Sequence, residues 1–173
     1  MPATTKRVFL GFSLNAAQTE QITAVQAQLV DTVRLVPSAN LHMTLAFLGA
    51  ATPSQLQALI DSVDKMSKPT FSVTLDTLSH WSKPKIICLK GDASDNGLRQ
   101  FAQDAQLIAA KLGLHCSEHS YNPHITLARK AKGEARTVVY HPICLQPLQL
   151  HLFESYPGTN GVEYPTLQHW DLA

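Results

Sequence analysis

Two histidines lie in almost the same seven-residue segment, which occurs twice in the chain. Residues 40–46 read Asn-Leu-His-Met-Thr-Leu-Ala and residues 122–128 read Asn-Pro-His-Ile-Thr-Leu-Ala, so five of the seven positions are identical. His42 and His124 are 82 positions apart in a chain of 173 residues. A polar His-x-Thr pattern repeated within two apolar segments indicates that both copies serve chemistry rather than packing.

The spacing within each motif assigns its polar side chains to one face of a strand. Side chains two residues apart in a β-strand point to the same side. His42 and Thr44 therefore share one face, as do His124 and Thr126, while the apolar residues between them can enter the core. Two such strands brought together would place two imidazoles and two hydroxyls across one cleft.

These four side chains suit a reaction at phosphorus. Histidine can donate or accept a proton near neutral pH, so one imidazole can activate the attacking oxygen while the other protonates the leaving oxygen. A threonine hydroxyl can donate a hydrogen bond to an oxygen on which negative charge develops. We therefore expect His42 and His124 to be catalytic and Thr44 and Thr126 to hold the non-bridging phosphate oxygens.

Other chemistries have weaker support in the sequence. A single histidine in a strand is usually structural, but one structural accident does not explain a repeated polar face. A metal site is the next alternative because histidine is a common ligand. Neither motif contains a carboxylate or a cysteine, and the HExxH and GxSxG patterns of metalloproteases and serine hydrolases are absent. We expect no metal and no cofactor.

Composition limits the class of protein and its partners. The chain is 45% hydrophobic and 16% charged with a formal net charge of +1, so it can form a core but lacks the basic footprint of a protein that coats long nucleic acid. No segment approaches the length of a transmembrane span, so no membrane partner is expected. The three cysteines form no CxxC pair, which predicts buried thiols in a reducing, cytoplasmic compartment.

Hydrophobic periodicity predicts alternating strands and helices. The predicted strands are 7–14, 41–48, 71–78, 86–90, 123–129, 148–154 and 164–170, and the predicted helices are 16–33, 53–66 and 98–112. Asn15 and Thr52 are predicted N-caps, Gly49 is predicted to close the first motif strand, and an exposed loop is expected over 130–137. The run 8–14 could also be a short signal-peptide segment, but its alternation favours a strand.

The order strand, helix, motif strand occurs in each half of the chain. We therefore expect one α+β domain over residues 1–173, formed by internal duplication. Its two pseudo-symmetric lobes would each supply a sheet with helices packed outside, and the active-site cleft would lie between the lobes. The expected fold is therefore bilobal.

The paired motifs resemble those of the 2H phosphoesterase superfamily, here His42-Met43-Thr44-Leu45 and His124-Ile125-Thr126-Leu127. The wider segments 40–49 and 123–129, with the first strand and the closing strand around Trp170, are similar to the RNA 2′,3′-cyclic phosphodiesterase branch, also named 2′-5′ RNA ligase. The resemblance covers nearly the whole chain.

The resemblance implies metal-independent hydrolysis of a 2′,3′-cyclic phosphate to a 2′-phosphomonoester. It implies that His42 donates a proton to the leaving 3′ oxygen and that His124 activates water. The basic residue of the family falls on Arg129, although a regular strand would point Arg129 away from the cleft unless the strand bends or ends there. With an RNA 5′-hydroxyl as nucleophile, the same site would form a 2′-5′ linkage.

The expected partners are RNA 2′,3′-cyclic phosphate ends or cyclic nucleotides, bound by a monomer. Two other hypotheses stay open at this point. One is the same chemistry on a small nucleotide such as ADP-ribose 1″,2″-cyclic phosphate, and the other is an RNA end-binding protein without turnover.

Overall fold

One sheet carries both histidine motifs. The structure is a computed structural model that describes residues 4–29, 32–133 and 137–173. Within these residues the helices are α1 Ala16–Gln26, α2 Pro53–Lys65 and α3 Asn96–Lys111. The strands are β1 Lys6–Ser13, β2 Arg34–Leu35, β3 His42–Ala51, β4 Val73–Trp81, β5 Ile86–Gly91, β6 His124–Arg129, β7 Ile143–Leu145, β8 Gln149–Glu154, β9 Tyr156–Gly158, β10 Gly161–Glu163 and β11 Thr166–Asp171.

The motif strands are neighbours at the centre of the sheet. Its order is β11-β8-β1-β3-β6-β5-β4-β7, with β2 also pairing with β6, while β9 and β10 form a separate hairpin. β3 and β6 run antiparallel, with Met43 opposite Ile125. The strands β1, β8 and β11 extend outward from β3, and β5, β4 and β7 extend outward from β6. The expected α+β fold is confirmed. The two sets of strands form one continuous sheet, joined where β3 pairs with β6.

The helices cover the face of the sheet opposite the motif histidines. Met43 and Ile125 are completely buried in a core that includes Ile22 of α1, Leu59 of α2 and Phe101 of α3. The alternation of the motif strands produces this division, because every second side chain enters the core. The other face, which carries His42 and His124, is left for the site.

The helix starts are fixed by side-chain caps. The predicted N-caps Asn15 and Thr52 are confirmed, and each forms a reciprocal capping box with the residue three positions later. Asp95 caps α3 by accepting hydrogen bonds from the backbone N–H groups of Gly97 and Leu98. Such caps each stabilise a helix by about 0.5–2 kcal/mol.

The predicted ends of α1 and β3 were wrong, and β4 extends to Trp81 rather than ending at residue 78. α1 ends at Gln26 rather than at residue 33, because the buried Gln26 side chain bonds to the backbone of the returning chain; residues 30–31 of the predicted helix lie outside the described residues. β3 continues past Gly49, which has a positive φ of 74°, as far as Ala51. The short strands β2, β7, β9 and β10 had not been predicted, since two or three residues show no periodicity.

Two expectations about burial were confirmed only in part. In the predicted exposed loop Lys130, Lys132, Gly133 and Thr137 are exposed, but Ala131 is completely buried, with its N–H donating to the carbonyl of Lys85 and its carbonyl 2.8 Å from Nε2 of His80. Residues 134–136 of that loop lie outside the described residues. Cys88 is buried as expected, but Cys116 and Cys144 are exposed, one in a loop and one on the outward side of β7. In the part of the chain that the structure describes, no helix is long and apolar enough to cross a membrane.

Candidate active site

Both motif strands contain a bulge at the leucine that follows the motif threonine. Pairing with β1 passes from Thr44 directly to Ala46, and pairing with β5 passes from Thr126 directly to Ala128. The burial patterns of the two six-residue segments are also the same. A bulge adds one residue to its strand and changes the direction of the side chains that follow. The two halves therefore share a local distortion as well as a sequence.

The two histidines are oriented by the same kind of hydrogen bond. Nδ1 of His42 lies 2.7 Å from the carbonyl oxygen of Asn40, and Nδ1 of His124 lies 2.8 Å from that of Asn122. A carbonyl can only accept, so we assign the Nδ1 proton to both rings. In the neutral rings Nε2 is then the acceptor. The two asparagines position the catalytic candidates through their main chain.

His42 lies in an aromatic pocket. Its ring centroid is 4.9 Å from that of Phe9 and 5.1 Å from that of Tyr164, and its Nε2 is 3.1 Å from Oγ1 of Thr44. Burial lowers the pKa of His42 most strongly, and the charges of Arg129 and His124 lower it further. The bond to Asn40 acts in the opposite direction.

His124 is placed in a similar way by a different aromatic side chain. Its ring centroid is 4.6 Å from that of Trp81, at the end of β4. Burial lowers the pKa of His124, against the effect of the bond to Asn122. Burial therefore favours the neutral form of both imidazoles in the free protein, and a bound anion would favour the protonated form of either one.

The structure brings Arg129 to the cleft. A regular strand would point it away from the His124 side, but the bulge at Leu127 shifts the alternation by one residue. The positive charge of Arg129 also lowers the pKa of His42. Of the predicted site residues, His42, Thr44, His124, Thr126 and Arg129 thus all lie on one face.

Sequence reasoning missed several residues around this site. The aromatic neighbours Phe9, Trp81 and Tyr164 come from three other strands or their connections. Lys90 of β5 lies directly opposite His124, and Arg34 of β2 lies directly opposite Arg129. No local pattern could have identified them, because only strand pairing brings them to the motifs.

A groove of about 1010 Å³ adjoins His124 and Thr44. It is lined by residues of β3, α3 and the segment 116–122, and by Trp81. The Tyr121 hydroxyl donates to the carbonyl of Thr44 at 2.7 Å, and burial raises the pKa of Tyr121. The groove is large enough for a nucleoside.

Metal-ligating side chains do not cluster within the residues that the structure describes. No group of three His, Cys, Asp or Glu side chains among them could hold an ion.

Comparison with known proteins identifies the family. A profile of LigT-like phosphoesterases matches residues 13–88. The RNA 2′,3′-cyclic phosphodiesterase of Escherichia coli strain K12 is 34% identical over 135 residues, which cover 77% of this chain and 76% of the relative. The chain belongs to the LigT-like phosphoesterase family. The Bacillus subtilis strain 168 protein of the same name is also 34% identical to this chain, over 100 residues that cover 54% of this chain and 53% of the relative.

Solved structures agree with this family assignment. The crystal structure of E. coli LigT complexed with 3′-AMP superimposes with a TM-score of 0.86 at 28% identity, covering 98% of this phosphoesterase and 99% of that chain. The apo form of E. coli LigT gives a TM-score of 0.86 at 31% identity, covering 97% of this phosphoesterase and 98% of that chain.

Proposed function

We propose that this phosphoesterase hydrolyses RNA 2′,3′-cyclic phosphate ends to 2′-phosphomonoesters without a metal ion. One observation carries the proposal: both motif imidazoles have Nδ1 bonded to a main-chain carbonyl, which leaves Nε2 of each ring for proton transfer. The names of the relatives support the reaction class. A groove of nucleoside size beside His124 and Thr44 supports a nucleotide substrate.

The reaction assigns one role to each imidazole. Neutral His124 accepts a proton from water through Nε2 as the water oxygen attacks phosphorus. The bond from phosphorus to the 3′ oxygen breaks, and protonated His42 donates its Nε2 proton to that oxygen. The reaction ends with His124 protonated and His42 neutral, and exchange with solvent restores both rings. Hydrolysis therefore uses only the two histidines as proton carriers.

The other motif residues stabilise the charge on the phosphoryl group. The Thr44 and Thr126 hydroxyls donate to its non-bridging oxygens, and Arg129 supplies a positive charge beside His42. In the free protein the Thr44 hydroxyl lies 3.1 Å from Nε2 of His42. Phosphate binding would therefore redirect that hydroxyl to a non-bridging phosphate oxygen. A bound dianion or monoanion also raises the pKa of His42, which favours the protonated acid that the reaction needs.

The substrate class and location are parts of the same proposal. E. coli LigT has been crystallised with 3′-AMP and with NADP⁺, both nucleotides. We assign RNA ends or cyclic nucleotides to this chain by analogy, acting as a cytoplasmic monomer. Run with an RNA 5′-hydroxyl in place of water, the same site would form a 2′-5′ linkage.

A product assay tests the proposal directly. An oligoribonucleotide with a 2′,3′-cyclic phosphate end is incubated with the protein in EDTA, and the 2′- and 3′-phosphate products are resolved. We expect the 2′-phosphate at an undiminished rate. His42→Ala and His124→Ala should each lower the rate by roughly 10²- to 10⁴-fold.

The exposed His141 provides a matched control. His141→Ala should retain the wild-type rate, and circular dichroism should show all three variants folded. A 3′-phosphate product, a rate that returns only with added metal, or a folded His42→Ala or His124→Ala variant with full activity would each contradict the proposal.

A further inference from the structure

Two arginines lie directly opposite one another at the end of β6 that is farther from the groove. Arg34 in β2 is the register partner of Arg129 in β6, and both side chains are exposed. Opposed residues in an antiparallel pair project from the same face. Because the bulge returns Arg129 to the cleft face, Arg34 lies on that face as well.

The segment that carries Arg34 is fixed to β6 by buried hydrogen bonds. The N–H of Val36 donates to the carbonyl of Leu127 at 2.9 Å. The buried Gln26 side chain donates to the same carbonyl at 3.0 Å and to the carbonyl of Val36 at 2.9 Å. The backbone at Arg34 is therefore held in position, since hydrogen bonds connect its segment to both β6 and α1.

The Arg34 side chain extends toward the hairpin of β9 and β10. Its Nη2 lies 3.3 Å from the position that a Cβ on Gly161 would occupy. The hairpin is held to the first motif by the Asn40 side-chain amide, which donates to the carbonyl of Val162 at 2.9 Å. The same hairpin leads to Tyr164, whose ring contacts His42. The guanidinium thus lies along the edge of the cleft on the His42 side.

Among the described residues, neither guanidinium forms an ion pair within 4.0 Å. Across residues 4–29, 32–133 and 137–173, the one ion pair within 4.0 Å joins Lys6 and Glu154. Like charges directly opposite one another in a sheet are destabilising. An anion bound between the two guanidinium groups would remove this repulsion, and the planar guanidinium fork matches phosphate oxygens in particular.

We propose that Arg34 forms a second phosphate subsite, for the phosphodiester on the 5′ side of the terminal nucleotide, with Arg129 lying between this phosphate and the cyclic phosphate and contacting both. This inference rests on the proposed function, in which the motif threonines hold the cyclic phosphate. The next phosphate of an RNA chain lies on the other side of the terminal ribose, so the two phosphates require separate subsites. Arg34 is then a specificity-determining residue that favours RNA ends over cyclic nucleosides.

A matched pair of substrates isolates this subsite. Adenosine 2′,3′-cyclic phosphate and 5′-phosphoadenosine 2′,3′-cyclic phosphate differ only in the 5′-phosphate. We expect the wild-type protein to have a kcat/KM about tenfold to a hundredfold higher for the 5′-phosphorylated substrate, the size typical of hydrogen bonds to a charged group. Arg34→Gln should bring this ratio close to one, chiefly by raising KM for the 5′-phosphorylated substrate.

The control variant is Lys65→Gln at the end of α2, on the helix-covered side of the sheet. It removes one exposed positive charge outside the cleft and should keep the wild-type ratio. If Arg34→Gln does not fold by circular dichroism, Arg34→Lys replaces it, because it retains the charge but lacks the fork that binds two oxygens. Its ratio should be clearly below that of the wild type.

The two levels of the hypothesis fail in different ways. A wild-type ratio near one, or an unchanged ratio in a folded Arg34 variant, would overturn the second subsite while the hydrolytic function stands. A wild-type protein that hydrolyses neither substrate would instead overturn the proposed function on which the subsite rests.

Discussion

The two motif histidines make the same kind of hydrogen bond through Nδ1, but their other neighbours differ. Both bond through Nδ1 to a carbonyl two residues earlier. His42 is packed between Phe9 and Tyr164 and is close to Arg129, whereas His124 has Trp81 as its aromatic neighbour. This asymmetry supports distinct acid and base roles for two residues that the sequence alone presents as equivalent.

The lowered pKa values predict an acidic pH optimum. Turnover from the free enzyme requires one protonated and one neutral imidazole, so kcat/KM should follow a bell between two apparent pKa values. Burial lowers the pKa of both His42 and His124 from the ordinary value of 6.5, so the maximum should lie below pH 6.5. The kcat profile should lie at higher pH, because the bound phosphate favours imidazolium.

The Arg129 charge gives this prediction a direct spectroscopic test. Arg129→Gln should raise the pKa of His42 in an NMR titration of its imidazole, since one cause of the lowered value is removed. Lys111→Gln, an exposed charge at the end of α3, should leave that titration unchanged. An unaltered His42 titration in Arg129→Gln would show that the arginine does not act at this histidine.

At the level of elements, Asp95 links two parts of the fold. It caps α3 through Gly97 and Leu98, and it also accepts from the backbone N–H of Ser72, just before β4. The bond from Ser72 is the largest cause of a lowered Asp95 pKa, with the two cap bonds also contributing. One carboxylate thus positions the start of a helix against the start of a strand.

Removal of this carboxylate should destabilise the protein without altering the chemistry. We expect Asp95→Ala to lower the free energy of unfolding by about 0.5–2 kcal/mol, as for other N-caps, and Asp95→Asn to lower it less. Chemical denaturation measures both. Asp92→Ala, at an exposed position three residues earlier, should have little effect and serves as the control.

The pH dependence of the Asp95 contribution has a defined sign. Because its folded pKa lies below the unfolded value near 3.8, the stabilisation is complete above that value and is lost as the pH falls through the folded pKa. The difference in stability between wild type and Asp95→Asn should therefore shrink on acidification through that range. A difference that stays constant through this range would mean that the charge has no part in the cap.

At the level of the whole molecule, the two halves share one site. The central pair of the sheet joins Met43 to Ile125, the middle residues of the two motifs. The first half supplies one histidine and the second half supplies the other, so neither half has the complete acid–base pair. We propose that the mirrored strand order around this pair reflects an internal duplication of one lobe.

A double variant tests whether the histidines act as a unit. His42→Ala/His124→Ala should lose little more activity than the more damaging single variant, because either loss already stops the coupled proton transfers. Measurement of kcat/KM for the four proteins gives the coupling between the two positions. His42→Ala/His141→Ala should match His42→Ala. Effects of His42 and His124 that multiply would instead indicate two independent contributions.

The sequence by itself determined the features that depend on local periodicity. Alternation within His-x-Thr assigned His42 and Thr44 to one face, and the same holds for the second motif. The caps at Asn15 and Thr52 and most strand positions also followed from short-range patterns, because a cap or an alternating strand is a property of adjacent residues. The order of predicted strands and helices in each half indicated the α+β fold, and the duplicated motif indicated the reaction class.

Only the tertiary structure decided which other residues reach the cleft. The bulge at Leu127 arises from pairing with β5, and it returns Arg129 to the face from which simple alternation had excluded it. Arg34 and Trp81 are distant from the motifs in sequence and meet them through β2 pairing and through the end of β4. Strand partners and bulges are set by contacts between segments far apart in the chain. Periodicity within one segment holds no information about them.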